Sequence, residues 1–166
     1  MFDLIAGLPI HALAVHAAVV LLPLTAIGTV AATGVERWRP ALRWWVIADA
    51  VMVVVAFATK ESGEQLQDRL KQVSGEVVAH DHGEMGELVP LFAVVLVVAA
   101  VIAYVLVGRL AVGEPVPGRR RGAAVALVGL AATATIAWTA AVGHSGASSV
   151  WSDQVTKSPV TMQGQH

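Results

Sequence analysis

Four apolar segments, each long enough to cross a bilayer, restrict what this chain can fold into. They run roughly over residues 10–33, 41–59, 88–107 and 123–142. A span of about 30 Å of hydrocarbon needs about 20 apolar residues, and each segment is close to that length. Only helices satisfy every backbone polar group within such separate runs. A β-barrel would instead show short segments of alternating hydrophobicity, and the sequence has none. We therefore predict an all-α polytopic membrane protein, a four-transmembrane-helix bundle.

The composition supports this class and excludes several kinds of chemistry. Of 166 residues, 56% are hydrophobic and only 14% are charged, which is too apolar for a soluble domain of this size. The net charge of -1 argues against a nucleic-acid partner. The absence of cysteine excludes disulfides, iron–sulfur ligation and thioether attachment of haem. Any metal must therefore be held by histidine, carboxylate or methionine.

The connections between the segments differ in charge, and this difference predicts an orientation. The first connection holds Arg37 and Arg39, and the third holds Arg119, Arg120 and Arg121, whereas the second is acidic. Short basic loops stay in the cytoplasm. We therefore expect a multi-pass protein of the cell (inner) membrane, with the second connection and both termini extracytoplasmic.

The second connection and the C-terminus have patterns of their own. Leu66, Leu70, Val73 and Val77 recur at helical spacing among polar residues, which predicts an extracytoplasmic amphipathic helix between helices 2 and 3. The chain becomes polar after Trp151. We thus predict a transmembrane domain over residues 1–151 and a flexible polar tail over 152–166.

Five histidines fall at corresponding ends of the four segments. His11 and His16 begin the first, His80 and His82 precede the third, and His144 ends the fourth. If the segments cross the membrane in order, these histidines gather on the extracytoplasmic side. Ionisable residues at membrane depth mark a functional site by default, so the function has to be inferred from this group.

Two imidazoles from facing helices are the usual axial ligands of a b-type haem in a helical bundle. The leading candidates for the iron ligands are His16, His82 and His144, with His11 as a fourth cofactor-binding residue. An ideal helix turns His16 about 140° away from His11, so these two do not form a simple metal-binding pair. Glycines flank His144 and would let a planar macrocycle approach the backbone.

Other interpretations of these residues remain open. His80, Asp81, His82, Glu84 and Glu87 supply nitrogen and oxygen donors for Zn or Cu, with His80 the weakest metal candidate. Their spacing matches no strong metal motif, and a solvated acidic loop is the alternative. Histidines at a membrane interface are also often merely solvated. A non-redox metal-binding protein, or an accessory subunit of a membrane complex, is therefore the competing hypothesis.

Asp49 falls inside the second apolar segment, where a bare carboxylate is costly. We expect it to face the bundle interior and to bond to a threonine such as Thr25, Thr133 or Thr135. A proton-relay role is the functional alternative to this structural one.

The cytoplasmic half of the four segments contains no histidine. Electron transfer across a bilayer through stacked haems needs ligands near both faces. We therefore expect a single redox centre near the outer face, which exchanges electrons with a quinone or a periplasmic redox protein. Electron transfer is favoured over hydrolase or transferase activity, and the alanine-rich fourth segment suits contacts in a homo-oligomer or larger membrane complex.

The chain opens with Gly-Leu-Pro-Ile-His at 7–11 and Val-His at 15–16. These residues resemble the pattern G-L-P-x-H-P-x-x-V-H-F-P of bacterial membrane proteins catalogued as domain of unknown function 2231. Ala12 and Ala17-Ala18 depart from it. Further similarity lies at 61–64, His82, 86–87, 143–147 and 150–151.

The resemblance implies a redox role more than a defined activity. Relatives occur fused to Rieske-type iron–sulfur domains, which hints at redox work near the membrane surface. The positions that match the family are His11, His16, His82 and His144. Shared architecture alone does not establish a shared function.

Overall fold

Four helices of the computed structural model are long and apolar enough to cross a membrane, which confirms the predicted all-α membrane architecture. The structure describes residues 4–5, 8–74, 80–110 and 114–156. A short strand pair, β1 and β2, precedes five helices, α1 to α5. Their bounds are Leu4–Ile5 and Leu8–Pro9 for the strands, and Ile10–Gly34, Leu42–Ser74, His80–Gly86, Val89–Ala103 and Gly118–Thr156 for the helices.

Two of the spanning helices extend well beyond the predicted segments. α2 has 33 residues and α5 has 39, which at 1.5 Å per residue gives lengths of about 50 and 58 Å. The predicted amphipathic segment is the last part of α2 as far as Ser74, so a separate amphipathic helix is not confirmed. Residues 75–79, which include Val77, lie outside the described residues. α5 continues past 151 to Thr156, and residues 157–166 of the predicted tail also lie outside them.

The spanning helices form a ring. α1 and α4 each pack against α2 and α5, so α1 lies diagonally opposite α4. The beginning of α1, α3 and the last parts of α2 and α5 meet at one end, which we call the histidine end. The other end holds the 3-10 helix Glu36–Ala41 and the start of α5, and we call it the arginine end.

Small side chains allow these helices to approach closely. Alanines make up most of the buried core, and only a few larger side chains, among them Leu22 and Leu96, are fully buried. Small residues at helix contacts bring the backbones together, which drives association in a bilayer. The indole of Trp45 packs directly on Gly28, where an added Cβ would lie 2.4 Å from ring carbons. α1 and α2 therefore depend on glycine at this crossing.

Large apolar side chains cover the outside of the ring. Val54 and Leu130, on α2 and α5, are 68% and 74% exposed. Such exposure on spanning helices is expected for surfaces that face lipid tails, which are as apolar as the side chains themselves.

The third span is interrupted near the histidine end. α3 ends at Gly86 and α4 begins at Val89. Pro90 has no N–H and its ring would clash with the carbonyl four residues earlier, so the helix cannot continue smoothly through this point. At its other end α4 continues as the π-helical turn Tyr104–Gly108.

Arginines tie the connections together at the arginine end. Arg121 donates to the carbonyl oxygen of Gly34 and lies 3.7 Å from a carboxylate oxygen of Glu36. The buried Arg39 donates to the carbonyl oxygen of Glu114 over 3.2 Å. Guanidinium groups thus satisfy a carbonyl at the end of α1, which lacks an intrahelical partner, and a carbonyl of the connection before α5.

We predict that Gly28→Ala destabilises the bundle by about 1–3 kcal/mol, because the new methyl group would overlap the Trp45 ring and force repacking. Unfolding of detergent-purified protein with increasing SDS measures the change. Gly129→Ala is the matched control, since an added Cβ there meets nothing within 4 Å. Equal stability of the two variants would contradict this account of the α1–α2 contact.

Candidate functional site

His11 lies at the start of α1 and points across to α2. Its Nδ1 lies 3.2 Å from the carbonyl oxygen of Thr59 and 3.2 Å from Oγ of Ser62. A carbonyl oxygen can only accept a hydrogen bond, so Nδ1 carries the proton and donates. The Ser62 hydroxyl donates to the same carbonyl over 2.8 Å, which leaves its oxygen free to accept from the imidazole.

This bonding pattern determines the tautomer of His11. A neutral imidazole with its proton on Nδ1 has a lone pair on Nε2. No described residue forms a hydrogen bond with that nitrogen. An imidazole whose Nδ1–H is bonded to a backbone carbonyl and whose Nε2 is bare has the arrangement of a metal-ligating histidine.

His82 in α3 repeats the same contact with α5. Its Nδ1 lies 3.2 Å from the carbonyl oxygen of Val142 and 3.2 Å from Oγ of Ser145. The Ser145 hydroxyl donates to the Val142 carbonyl over 2.9 Å. By the same reasoning Nδ1 is the donor, and Nε2 has no hydrogen-bond partner among the described residues.

A glycine follows the serine in both contacts and makes room for the imidazole. A Cβ added at Gly63 would lie 2.9 Å from Cε1 of His11, and one added at Gly146 would lie 2.9 Å from Cε1 of His82. Both rings therefore lie against bare backbone. Each half of the chain thus provides a histidine, a helix carbonyl and a Ser-Gly pair.

His11 and His82 both lie at the histidine end, although 71 positions separate them in the sequence. In the ring, a rotation about the bundle axis that exchanges α1 with α4 and α2 with α5 also exchanges the two histidine contacts. His11 and His82 are therefore related by an approximate two-fold axis between the two helical hairpins.

Trp138 holds the interrupted third span against α5, close to His82. Its Nε1–H donates to the carbonyl oxygen of Met85 over 3.1 Å. Its ring stacks on that of Phe92 at a centroid distance of 5.2 Å. These contacts fix the α3–α4 junction, and with it the position of His82.

His16 and His144 point away from the bundle interior. Both are exposed, and Nδ1 of His16 lies 2.6 Å from the carbonyl oxygen of Ala12 in its own helix. The structure therefore brings His11 and His82 together and leaves the other two on outer faces. A ligand role for His16 and His144 stays a prediction, but a cofactor in the interior would not meet them.

The acidic group around α3 does not form a metal cluster in the described part of the chain. No set of three or more histidine, aspartate or glutamate side chains that could hold an ion occurs among the described residues. His80 begins α3, but its side chain and that of Asp81 lie outside the description.

Asp49 faces the bundle interior, as expected, and is 1% exposed. Its partner is Thr29 of α1, which donates to Oδ2 over 2.7 Å. Of the partners expected from sequence, Thr25 lies on α1 but donates to the Leu22 carbonyl, whereas Thr133 and Thr135 lie on α5, diagonally across the ring from α2. Thr135 instead donates to carbonyl oxygens of Ala131 and Phe92.

Sequence reasoning missed the serines that orient the histidines. The signal was present as a Ser-Gly pair near the end of each hairpin, at Ser62-Gly63 and Ser145-Gly146. The interval from histidine to serine is 51 residues in one half and 63 in the other, so the repeat is hidden by connections of different length.

One comparison with known proteins finds a match. A family described as "Predicted membrane protein (DUF2231)" matches residues 7–159, which include both histidine contacts. Neither a curated protein nor a solved structure matches the chain.

We predict that Gly63→Ala frees His11, and that Gly146→Ala frees His82, because each methyl group would displace the ring from its hydrogen bonds. Loss of a hydrogen bond of about 1 kcal/mol should raise the rate of modification by diethyl pyrocarbonate about fivefold at the affected histidine. Peptide mass spectrometry measures each site. Gly86→Ala is the control, since nothing lies within 4 Å of its added Cβ; the prediction fails if modification changes equally at both histidines in every variant.

Proposed function

The chain belongs to this family of membrane proteins, and we propose that it binds a b-type haem between His11 and His82 for electron transfer at one face of the membrane. The observation that carries the proposal is the shared tautomer of these histidines. Each donates Nδ1–H to a neighbouring helix, and Nε2 of each has no hydrogen-bond partner among the described residues. His11 and His82 would therefore hold the iron of one haem through these nitrogens.

The number of ligands favours haem over a free ion. A haem macrocycle supplies four nitrogens and needs only two imidazoles from the protein. Structural Zn sites take four protein ligands and catalytic ones three, and no group of three occurs among the described residues. The pair of His11 and His82 is therefore sufficient for haem and insufficient for a usual Zn or Cu site.

The surrounding groups would hold the ligands in place and tune them. Ser62 and the Thr59 carbonyl orient His11, while Ser145 and the Val142 carbonyl orient His82. A hydrogen bond donated by Nδ1–H makes the Nε2 lone pair a stronger electron donor to a metal ion. Trp138 would fix the α3–α4 junction through its hydrogen bond to the Met85 carbonyl, and with it the position of His82.

A haem would supply one-electron chemistry, and the protein would determine the face at which it occurs. Histidines are confined to the histidine end within the described spans, so a single centre would exchange electrons at that end only. A quinone in the adjacent lipid or a redox protein at that surface would be the partner.

We also propose that the histidine end is extracytoplasmic and that the protein resides in the inner membrane. Arg37, Arg39 and Arg119–Arg121 cluster at the opposite end, and short basic connections stay in the cytoplasm.

Reporter fusions test this orientation. We predict that alkaline phosphatase fused after His166 is active, and that green fluorescent protein fused there is dark, because the C-terminus is exported. The same reporters inserted after Gly118 should give the opposite result. Phosphatase activity at Gly118 but not at His166 would place the histidine end in the cytoplasm.

We predict that the full chain, purified after expression with added haem precursor, shows a Soret band with about one haem per chain. His11→Ala and His82→Ala should each abolish it, because either change removes an axial ligand. Ser62→Ala and Ser145→Ala should weaken haem affinity by about 10–100-fold through loss of the bond that orients the ligand. Absorption spectroscopy and pyridine haemochrome analysis measure both.

His16→Ala and His144→Ala are the matched controls, since both histidines are exposed. They should retain the band if the interior pair holds the iron. Loss of haem in the controls but not in the interior variants would reverse the ligand assignment. A colourless protein that contains stoichiometric Zn or Cu by elemental analysis would instead favour the non-redox metal-binding function.

A further inference from the structure

Asp49 is a carboxyl group in the membrane-spanning part of the bundle with half of its hydrogen-bonding capacity unused. It is 1% exposed, and its Oδ2 accepts from the Thr29 hydroxyl over 2.7 Å. Its Oδ1 is buried without a hydrogen-bond partner in the described part of the chain. A buried oxygen without a donor is unfavourable for an ionised carboxylate, because a buried charge needs several hydrogen-bond donors.

Among the described residues, the spans packed around Asp49 contain no charged side chain that could compensate it. The packed face of α1 presents Thr25 and Thr29, and α1 has no ionisable residue between His16 and Gly34. α4 contributes none before Tyr104, and α5, diagonally opposite, has none between Arg121 and His144. α2 has no other ionisable residue between Arg43 and Lys60, and the charged groups at the arginine end include Glu36, Arg39 and Arg121.

Without a compensating charge, the neutral acid is the form that this environment favours. A bare carboxylate within hydrocarbon is expensive, and such groups accept a proton instead. In the neutral form Oδ1 holds the proton while Oδ2, the carbonyl oxygen of the acid, accepts from Thr29.

A line of hydroxyl groups leads from Asp49 toward the arginine end. Thr33 lies one helical turn beyond Thr29, about 6 Å along the axis, and its hydroxyl donates to the Thr29 carbonyl over 2.7 Å. Thr33 also lines a cavity at the arginine end, together with Glu36, Arg39, Val107, Val116 and Arg121. In the opposite direction the buried Thr25 donates to the Leu22 carbonyl of its own helix, and the core around Leu22 and Met52 is apolar.

The second hairpin shows that the fold itself does not need a carboxyl group at this position. Aligning the two hairpins on His11 and His82 aligns Thr29 with Ala100. Aligning them on Ser62 and Ser145 aligns Asp49 with Ala132. Both alanines are buried, like the residues to which they correspond. Buried alanines therefore occupy the corresponding positions of the second hairpin, and the polar pair is specific to the first.

We propose that Asp49 is a proton-binding site in the membrane interior, which exchanges its proton with the arginine end along the side of the bundle that holds Thr33 and the cavity beyond it. The carboxylate takes up one proton from solvent at that end to become the neutral acid, and returns it by the same route. The site lies apart from the histidine pair and does not depend on a bound haem.

Infrared spectroscopy of the detergent-purified full chain tests the proposal. At neutral pH the wild type should show the carbonyl stretch of one protonated carboxylic acid, and this band should shift on transfer to D₂O. Asp49→Asn should remove the band while it keeps the bond to Thr29. If that variant does not fold, Asp49→Ala, which copies the alanine of the second hairpin, serves in its place.

The exchange route is tested by the rate at which the band shifts. Thr33→Val should slow exchange about fivefold or more, since it removes a hydroxyl between Asp49 and the cavity. Thr135→Val is the matched control, because Thr135 is equally buried but bonds to Ala131 and Phe92. If the wild type lacks the band, Asp49 is not a neutral acid. If the band shifts at equal rates in the wild type and in Thr33→Val, the proposed exchange route is wrong.

Discussion

Close packing through small side chains is the constraint on which this structure depends. In a bilayer, burial of apolar surface between helices provides little drive, because lipid tails are as apolar as leucine. Alanines and glycines therefore bring the helices near enough for dispersion and hydrogen bonds to hold them together. The histidine contacts use the same device, since Gly63 and Gly146 let an imidazole lie on the backbone of the next helix.

The repeated contact divides the chain into two hairpins with the same plan. In each, a histidine at the start of one span donates to a carbonyl and a serine near the end of the next. The halves differ in their middle, where the Asp49–Thr29 bond of the first corresponds to alanines in the second. The histidine end is thus shared by both halves, whereas the buried carboxyl group belongs to one.

Much of the architecture could be predicted from the sequence, and less of the site. The lengths of the apolar runs predict four spans, which the structure confirms. Helical geometry also separates His16 from His11 correctly, because five residues turn the chain by about 140°. Which of the two faces inward cannot be read from hydropathy, because both histidines lie among apolar residues. The interior face is marked instead by small and hydroxyl-bearing residues in line with His11, among them Ala18, Thr25 and Thr29.

The sequence by itself determined the number of spans, their order and the end at which histidines collect. Bilayer thickness imposes a length on every apolar run, and each crossing reverses the direction of the chain. Only the tertiary structure decided that His11 and His82 each bond to a neighbouring helix, that serines orient them, and that Asp49 bonds to Thr29. The physical reason is that lipid-facing and core-facing sides of these helices are both apolar. Rotation about each helix axis is therefore set by packing against neighbours and not by contact with water.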